Sequence, residues 1–309
     1  MTDDIFGIID TGLITGPGVK FERLPTFYPS AASCVNEQDN GHVMGSCIRQ
    51  QWYRCKSYPE SDPAGLYSQY IFAAGNMWED FLIEQFKRNG LWVGNNIKFA
   101  ITDRYISGEL DVIIKNPGGE KNRAIVESKT YSSANYQAKK EIVGSRDTKP
   151  KPKAQNVLQA FIYNCEFQDQ IDCTYLTYLD RACGGPENNK TFKMTVHSEN
   201  DRHYPFIETY DFDKNKYSYV DYRISIEGIY ERYDLLMGYL QRSEMPDGDF
   251  LHEYDEDTVM AKWQSGSIAK TKYEKWQQNS KKYPIGDWEC SYCPYSRLCK
   301  AQKEKDGQR

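Results

Sequence analysis

The feature of this sequence that most constrains its fold is a pair of apolar segments joined by a turn between residues 108 and 129. The first segment covers residues 108–114 and the second covers residues 124–129, with a Pro-Gly-Gly turn at 117–119. Apolar runs of this length on either side of such a turn predict two strands of a β-hairpin. Both runs are apolar enough to lie inside a sheet, which indicates a sheet-centred fold.

Charged residues interrupt both predicted strands. Asp111 lies on the first strand, and Glu127 and Lys129 lie two residues apart on the second. Side chains of a strand alternate, so Glu127 and Lys129 point to one face and Ser128 points to the other. Such triplets are common on exposed strands, but charges within a buried strand are costly unless they are paired or bind a cation. If Asp111 faces the pair, the patch has the oxygen donors that suit Mg²⁺ or Mn²⁺, ions that activate water and stabilise charge on phosphate.

Length and charge set broad limits on the class of protein. A chain of 309 residues is long enough for one large or two modest domains with a sizeable core. The net charge of −5 excludes a uniformly basic nucleic-acid binder, although positive charge is concentrated in residues 139–153 and 262–282. No apolar run approaches the length of a membrane span, and the first ten residues are too acidic for a secretory signal. We expect a soluble, cytoplasmic protein without membrane contact.

Periodicity and turn residues predict the remaining elements. Residues 1–45 are rich in Gly, Pro, Asp and Thr, which predicts an extended lead-in. A helix is expected from Ser46, with Ser46 as its N-cap and Cys47 in its first turn, where the pKa of a thiol is lowered. The other expected helices cover residues 66–89, 133–143, 154–164 and 217–241, and a strand is expected at 173–179.

The cysteines form the second informative pattern. Nine cysteines cannot all pair as disulfides. Three lie within ten residues among polar neighbours near the C-terminus: Cys290, Cys293 and Cys299. Such closely spaced thiols indicate a metal or cluster site, which takes four ligands. Cys47 is our candidate for the fourth ligand, with Cys34 and Cys55 as alternatives.

Zinc and an iron-sulfur cluster are the two alternatives for these cysteines. Structural zinc is the commoner centre for a four-cysteine set, and its ligands usually come as two closely spaced pairs. Here three cysteines are close together and one is distant in sequence. This division favours a [4Fe-4S] cluster.

Six short motifs resemble the RecB-type branch of the PD-(D/E)XK nuclease superfamily, and within it the cluster-containing nucleases of the CRISPR-associated and AddB kind, including phage relatives. In chain order they are Ser46-Cys47-Ile48-Arg49, Gly75 with Glu79, the segment from Gly108 to Asp111, Glu127-Ser128-Lys129, Gln159 with Tyr163, and the triplet Cys290, Cys293 and Cys299. Many members have histidine at the position of Glu79, which leaves Glu84 as an alternative. Residues 180–285 contain no motif of this family.

The resemblance implies a fold and a domain organisation. The fold is an α/β restriction-endonuclease-like core, with a central mixed sheet flanked by helices and a cluster-binding helical flank. Residues 46–299 are then a single nuclease domain, closed by a cluster that joins its two ends. Residues 1–45 precede this domain as a lead-in, and residues 300–309 follow it as a tail.

The resemblance also implies an activity, a metal-dependent DNA exonuclease that acts 5′ to 3′ on single-stranded ends. The expected ligands of Mg²⁺ or Mn²⁺ are Asp111, Glu127, Glu79 and the backbone carbonyl of Ser128. Lys129 would orient or deprotonate the attacking water, and Gln159 with Tyr163 would contact the DNA backbone or brace the site. The implied setting is the cytoplasm of a prokaryotic or phage-infected cell, with DNA and proteins of recombination or CRISPR adaptation as partners. A DNA-binding adaptor with little turnover and a zinc-stabilised structural module are the alternatives.

Overall fold

The structure, a computed structural model, describes residues 26–36, 41–211 and 216–306. The chain divides into two compact units, one formed by Met1–Gly45 and Leu66–Met237 and the other by Ser46–Gly65 and Gly238–Arg309. We expected a single domain over residues 46–299. This range includes parts of both units, and residues 46–65 belong to one unit together with the C-terminal part of the chain.

A seven-stranded mixed sheet is the core of the first unit, which confirms the expected α/β class. Its strands are β3 (Trp92–Ile101), β4 (Ile106–Lys115), β5 (Arg123–Tyr131), β6 (Cys173–Asp180), β7 (Lys190–Glu199), β8 (Arg202–Asp211) and β9 (Lys216–Asp221). They lie side by side in chain order. Strands β5 and β6 are parallel, and the other neighbouring pairs are antiparallel.

Helices connect and cover the sheet. They are α2 (Leu66–Arg88), α3 (Tyr136–Ile142), α4 (Ala154–Glu166) and α5 (Ile226–Arg242), and the division between the units falls within α5. Parallel strands need a long crossover connection, which α3 and α4 supply between β5 and β6. Short 3-10 helices lie at Pro29–Ala31, Thr102–Arg104 and Pro186–Asn188.

Helices α2 and α4 cover opposite faces of the sheet. Ile83 of α2 packs in a buried cluster with Val112 and Val126, and Tyr175 of β6 packs against the same cluster. On the other side, the amide nitrogen of Asn164 in α4 donates to Thr174 Oγ1 at 3.2 Å. Because Thr174 and Tyr175 are neighbours in one strand, their side chains point to opposite faces.

The expected helix over residues 217–241 is wrong in its first part. Lys216–Asp221 is the edge strand β9, and the helix begins at Ile226. Tyr217 pairs with Tyr210 of β8, and Tyr219 pairs with Glu208. Aromatic residues at alternating positions fit a pleated edge strand, and pairing with β8 outweighs any local helical preference.

The second unit is helical. Its helices are α1 (Ile48–Cys55), the end of α5, α6 (Glu256–Gln264), α7 (Lys270–Gln278), α8 (Trp288–Ser291) and α9 (Ser296–Asp306). Val259, Ile268, Tyr273 and Ile285 form a small buried core, in which the ring of Trp263 stacks on Tyr273 at 4.6 Å. The expected N-cap of α1 is also wrong, since Cys47 rather than Ser46 occupies that position.

The expected lead-in and tail are only partly described. Residues 26–36 and 41–45 contain β1 (Ser33–Val35) and β2 (Val43–Gly45), which pair antiparallel, while residues 1–25 and 37–40 lie outside the described ranges. At the other end, the expected tail is helical through residue 306 as part of α9, and residues 307–309 lie outside. In the described ranges, no helix has both the length and the apolar character that crossing a membrane requires.

Asp180, at the end of β6, fixes the loop that follows β5. Its buried carboxylate accepts hydrogen bonds from the backbone nitrogen of Ser133 at 2.8 Å and from Ser133 Oγ at 2.6 Å. The backbone nitrogens of Ala182 and Gly184 also donate to it, each at 3.0 Å. Burial acts to raise the pKa of Asp180, but these donors outweigh it and lower the pKa to about 2.

The substitution Asp180→Asn should therefore lower the free energy of unfolding at pH 7 by about 2 kcal/mol. The stabilisation by the carboxylate is fully present above the unfolded-state pKa of 3.8 and is lost as the pH falls through about 2. Denaturant unfolding of both chains at a series of pH values measures this difference. Asp169→Asn, the same change at an exposed position, should have little effect. Equal losses for the two variants would contradict the assignment.

Candidate functional site

The first candidate site lies where β4 and β5 stop pairing. The two strands are paired from Lys115–Arg123 to Val112–Val126, and Asp111 and Glu127 are the next residues on each strand. Beyond this point β5 continues its pairing with β6, where Glu127 lies beside Leu176. The carboxylates of the hairpin are thus brought to one place, as the sequence predicted, at the point where the two strands separate.

Hydrogen bonds hold these side chains in position. The backbone nitrogen of Ser128 donates to Asp111 Oδ2 at 2.7 Å, and Lys129 Nζ donates to Glu127 Oε1 at 2.5 Å. Glu127 is fully buried, whereas a quarter of the Lys129 side chain is exposed. Glu127 Oε2 is buried and accepts no hydrogen bond from any described residue. A buried oxygen without a partner is costly, which marks this carboxylate as a candidate ligand.

Helix α2 adds a third carboxylate, and the structure distinguishes between Glu79 and Glu84, the two alternatives for it. Glu79 is half-buried and interacts electrostatically with Asp111 and Lys129. Glu84 is exposed and pairs with Lys87 at 3.0 Å. One helical turn before Glu79, Gly75 brings α2 close to β5, since a Cβ at Gly75 would lie 3.7 Å from Thr130 Oγ1. The geometry therefore favours Glu79.

Three carboxylates share this site with one ammonium group, and their pKa values reflect it. Burial, followed by repulsion among the acids, raises the pKa of Glu127 to about 8 and that of Glu79 to about 7. Burial also raises the pKa of Asp111. Burial alone would lower the pKa of Lys129, but the neighbouring carboxylates outweigh it and raise the pKa instead. Without a further cation, the site favours retained protons over three negative charges.

Gln159 and Tyr163 lie on α4 beside this site. Both side chains are buried. Gln159 Nε2 donates to the hydroxyl of Tyr163 at 2.9 Å, and that hydroxyl donates to the carbonyl of Glu109 at 3.2 Å. Glu109 precedes Asp111 by two residues on β4. This arrangement favours the bracing role for Gln159 and Tyr163 over direct contact with DNA.

The donor chemistry of the site fits a divalent cation. Among residues 26–36, 41–211 and 216–306, no group of three or more His, Cys, Asp or Glu side chains is arranged to hold a metal ion. The unpartnered Glu127 Oε2 and the repulsion between Glu79 and Asp111 are nevertheless what a cation would relieve. Oxygen donors of this kind suit Mg²⁺ or Mn²⁺.

The second candidate site lies within the helical unit and is lined by four cysteines. Cys47, Cys290, Cys293 and Cys299 border one pocket. None of them forms a disulfide. The alternatives for the fourth ligand lie elsewhere, because Cys34 is buried in the first unit and Cys55, at the last position of α1, is not among the described residues that line the pocket. The geometry thus brings Cys47 to the C-terminal triplet.

Hydrogen-bond donors reach the sulfur atoms of Cys47, Cys293 and Cys299. The backbone nitrogen of Asp249 donates to Cys47 Sγ at 3.4 Å. The backbone nitrogen of Tyr295 donates to Cys293 Sγ at 3.4 Å, and the Arg49 guanidinium donates to Cys299 Sγ at 3.6 Å. Such donors stabilise thiolate ligands and tune cluster potentials. Arg49 and Asp249 were not predicted as site residues, although Arg49 belongs to the first of the six motifs.

The pKa values of three thiols in this pocket, Cys47, Cys290 and Cys293, are raised. Burial and the neighbouring thiols raise the pKa of Cys290 to about 12 and that of Cys293 to about 11. The lowered pKa expected for Cys47 is wrong, because burial outweighs the backbone hydrogen bonds to its sulfur. Thiolates at these positions therefore require a positively charged centre.

Comparisons of the chain with protein-family models, with curated proteins and with solved structures give no match. In both sites, burial opposes the ionisation of acidic groups, which are carboxyl groups in the first site and thiols in the second. Each set of donors is suited to a different centre, oxygen donors to Mg²⁺ or Mn²⁺ and thiolates to zinc or iron-sulfur clusters.

The raised carboxyl pKa values predict how stability depends on pH in EDTA. Glu127 and Glu79 bind protons more tightly in the folded chain, so their contribution is fully present below about pH 4.5 and is lost as the pH rises through about 7 to 8. The thermal midpoint of wild type should fall over this range, and Glu127→Gln should reduce the slope. Glu84→Gln should keep the wild-type slope. Identical slopes for wild type and Glu127→Gln would contradict the buried-carboxylate assignment.

Proposed function

We propose that this chain is a Mg²⁺- or Mn²⁺-dependent deoxyribonuclease of the RecB-like PD-(D/E)XK kind, with a [4Fe-4S] cluster in its helical unit. The observation that carries the proposal is the fully buried Glu127, whose Oε2 has no partner among the described residues. It lies beside Asp111 and Lys129 where β4 and β5 separate. Buried carboxylates with strongly raised pKa values are more typical of functional sites than of structural ion pairs.

The roles of the side chains follow from their positions. Glu127, Asp111 and Glu79, with the carbonyl of Ser128, would hold the cation. When bound, Mg²⁺ or Mn²⁺ supplies positive charge that stabilises the scissile phosphate in the transition state and promotes ionisation of water. The carboxylates keep Lys129 protonated, which favours a role in orienting the attacking water and stabilising charge over a role as base.

The brace beside the site would keep this geometry rigid. Tyr163 holds the carbonyl of Glu109, and Gln159 fixes the Tyr163 hydroxyl, so β4 cannot shift relative to α4 without breaking these bonds. Catalysis depends on placing groups to within a fraction of an ångström. The pair would therefore act on Asp111 through the strand rather than on DNA.

The four cysteines would hold the cluster as a structural centre. Cys47 comes from the segment 46–65 and the triplet from the C-terminal segment of the same unit. A cluster bound by all four would tie these distant segments together, and its loss should unfold part of the helical unit. Zinc is the alternative centre for the same ligands.

The finer parts of the proposal come from the resemblance. They are 5′-to-3′ action on single-stranded ends, a place in recombination, repair or CRISPR adaptation, and the cytoplasm of a prokaryotic or phage-infected cell. A DNA-binding adaptor with little turnover is the second candidate. The direct ion pair between Lys129 and Glu127 favours it, because the pair neutralises the central carboxylate without any metal.

Digestion of end-labelled single-stranded DNA tests the proposal. Anaerobically purified wild type should shorten the DNA from one end with Mg²⁺ or Mn²⁺, and Lys129→Ala should be slower by about 100-fold or more. Lys115→Ala, at the exposed end of β4, is the matched control and should retain activity. Absence of shortening by cluster-loaded wild type with either metal would overturn the nuclease proposal and favour the adaptor.

The colour of the protein tests the cysteine centre. Wild type purified without oxygen should be brown, with an absorbance band at about 400 nm, whereas a zinc protein is colourless. Cys47→Ser should lose most of this absorbance and lower the thermal midpoint. Cys55→Ser replaces the other cysteine of the same segment and should keep both. If wild type is colourless and contains zinc, the cluster assignment is wrong and the centre is a zinc site.

A further inference from the structure

Strands β8 and β9 carry four aromatic side chains on one face of the sheet. They are Phe206, Tyr210, Tyr217 and Tyr219, which we call the aromatic platform. Tyr210 pairs with Tyr217 in the register, and their rings lie 5.0 Å apart. The rings of Phe206 and Tyr219 lie 5.3 Å apart. Because positions two apart on a strand share a face, all four rings belong to the same side.

The platform is exposed. Phe206 is 43% exposed, and Tyr217 and Tyr219 are each 53% exposed. Cross-strand aromatic pairs stabilise a sheet by only about 0.2–1 kcal/mol each. An edge strand with exposed aromatic residues also favours unwanted pairing with other chains. Stabilisation of the sheet therefore explains the exposure of these rings poorly. A ligand that binds over the rings explains their exposure better.

A concave site of about 650 Å³ lies next to these rings, within the size range of ligand pockets. Tyr210 and Tyr217 of the platform line it, together with Tyr175 of β6. Tyr175 also packs against the buried cluster that α2 covers. The platform therefore continues the sheet face on which α2, the helix that carries Glu79, is packed.

The charged groups of this site are balanced, so its aromatic rings, rather than a net charge, would carry recognition of a ligand with flat rings. Lys193 and Lys190 line the pocket together with Glu208 and Glu187. Lys193 Nζ lies 3.0 Å from Glu208 Oε1, so this pair is neutral, and Lys190 Nζ donates to the carbonyl of Tyr210 at 3.3 Å. Lys190 therefore lies beside the backbone of Tyr210, next to the Tyr210–Tyr217 ring pair. Stacking rings beside lysines are the elements with which proteins bind single-stranded nucleic acids.

We propose that the aromatic platform and its pocket bind single-stranded DNA, with unpaired bases stacked on the rings and the backbone phosphates on the side of Lys190. The inference rests on the proposed nuclease function and names a surface that selects its substrate. Bases within a duplex are already stacked on one another and cannot lie on the rings. The platform would therefore favour single strands over duplex DNA.

Fluorescence anisotropy in EDTA, where no metal-dependent cleavage occurs, tests this inference. The probes are a labelled oligothymidylate of about 12 nucleotides and an abasic strand of the same length, which keeps the phosphates but lacks the bases. The Tyr217→Leu/Tyr219→Leu double variant removes one ring from each aromatic pair. The Tyr217→Phe/Tyr219→Phe double variant keeps both rings and is the matched control. Thermal midpoints show whether each variant is folded.

We expect the leucine variant to bind the oligothymidylate at least about tenfold more weakly than wild type. The phenylalanine variant should bind like wild type, and the abasic strand should bind weakly to all three chains. No binding by wild type, equal binding by the leucine variant, or equal affinity for the abasic strand would each overturn the inference.

The outcome is separable from that of the nuclease proposal. Platform-dependent binding in EDTA without cleavage in Mg²⁺ or Mn²⁺ would overturn the nuclease proposal and support the inference. Cleavage in metal by a chain whose binding does not depend on the rings would overturn the inference alone.

Discussion

The burial of the Glu127 carboxylate is the constraint on which the candidate active site depends. This side chain is fully buried, yet one oxygen bonds Lys129 and the other has no partner among the described residues. Burial of a charged carboxylate with a partner for only one of its oxygens opposes folding, which explains why the pKa of Glu127 is raised to about 8. A cation bound by the carboxylates would make the arrangement favourable, so the proposed chemistry and the energetics of the site would have the same cause.

The sheet makes this burial possible through its change of pairing. Strand β5 is antiparallel to β4 near the turn and parallel to β6 along its length. Where β4 and β5 separate, the backbone nitrogen of Ser128 is free of pairing with β4 and donates to Asp111 instead. Helix α2 brings Glu79 to the site, and α4 braces β4 through Tyr163. Elements on opposite faces of the sheet therefore support one site.

In the cysteine pocket, burial likewise opposes ionisation of the ligands, which are thiols in place of carboxyl groups. Four cysteines line one pocket, and burial raises the pKa values of Cys47, Cys290 and Cys293, so a positively charged centre would be needed to hold these three as thiolates. Backbone nitrogens and the Arg49 guanidinium already point at the sulfurs. The proposed cation in the first unit and the proposed cluster in the second would thus each stabilise the fold, and the cation would also supply chemistry.

Local patterns in the sequence determined the hairpin, the Glu127–Lys129 pair and the cysteine triplet, because strand alternation and close spacing act over a few residues. Tertiary structure decided which of Glu79 and Glu84 reaches the acids, which cysteine joins the triplet, and that Lys216–Asp221 is a strand. It also decided that residues 46–65 pack with the C-terminal segment. These outcomes depend on packing between residues far apart in the chain, and local periodicity carries no information about that packing.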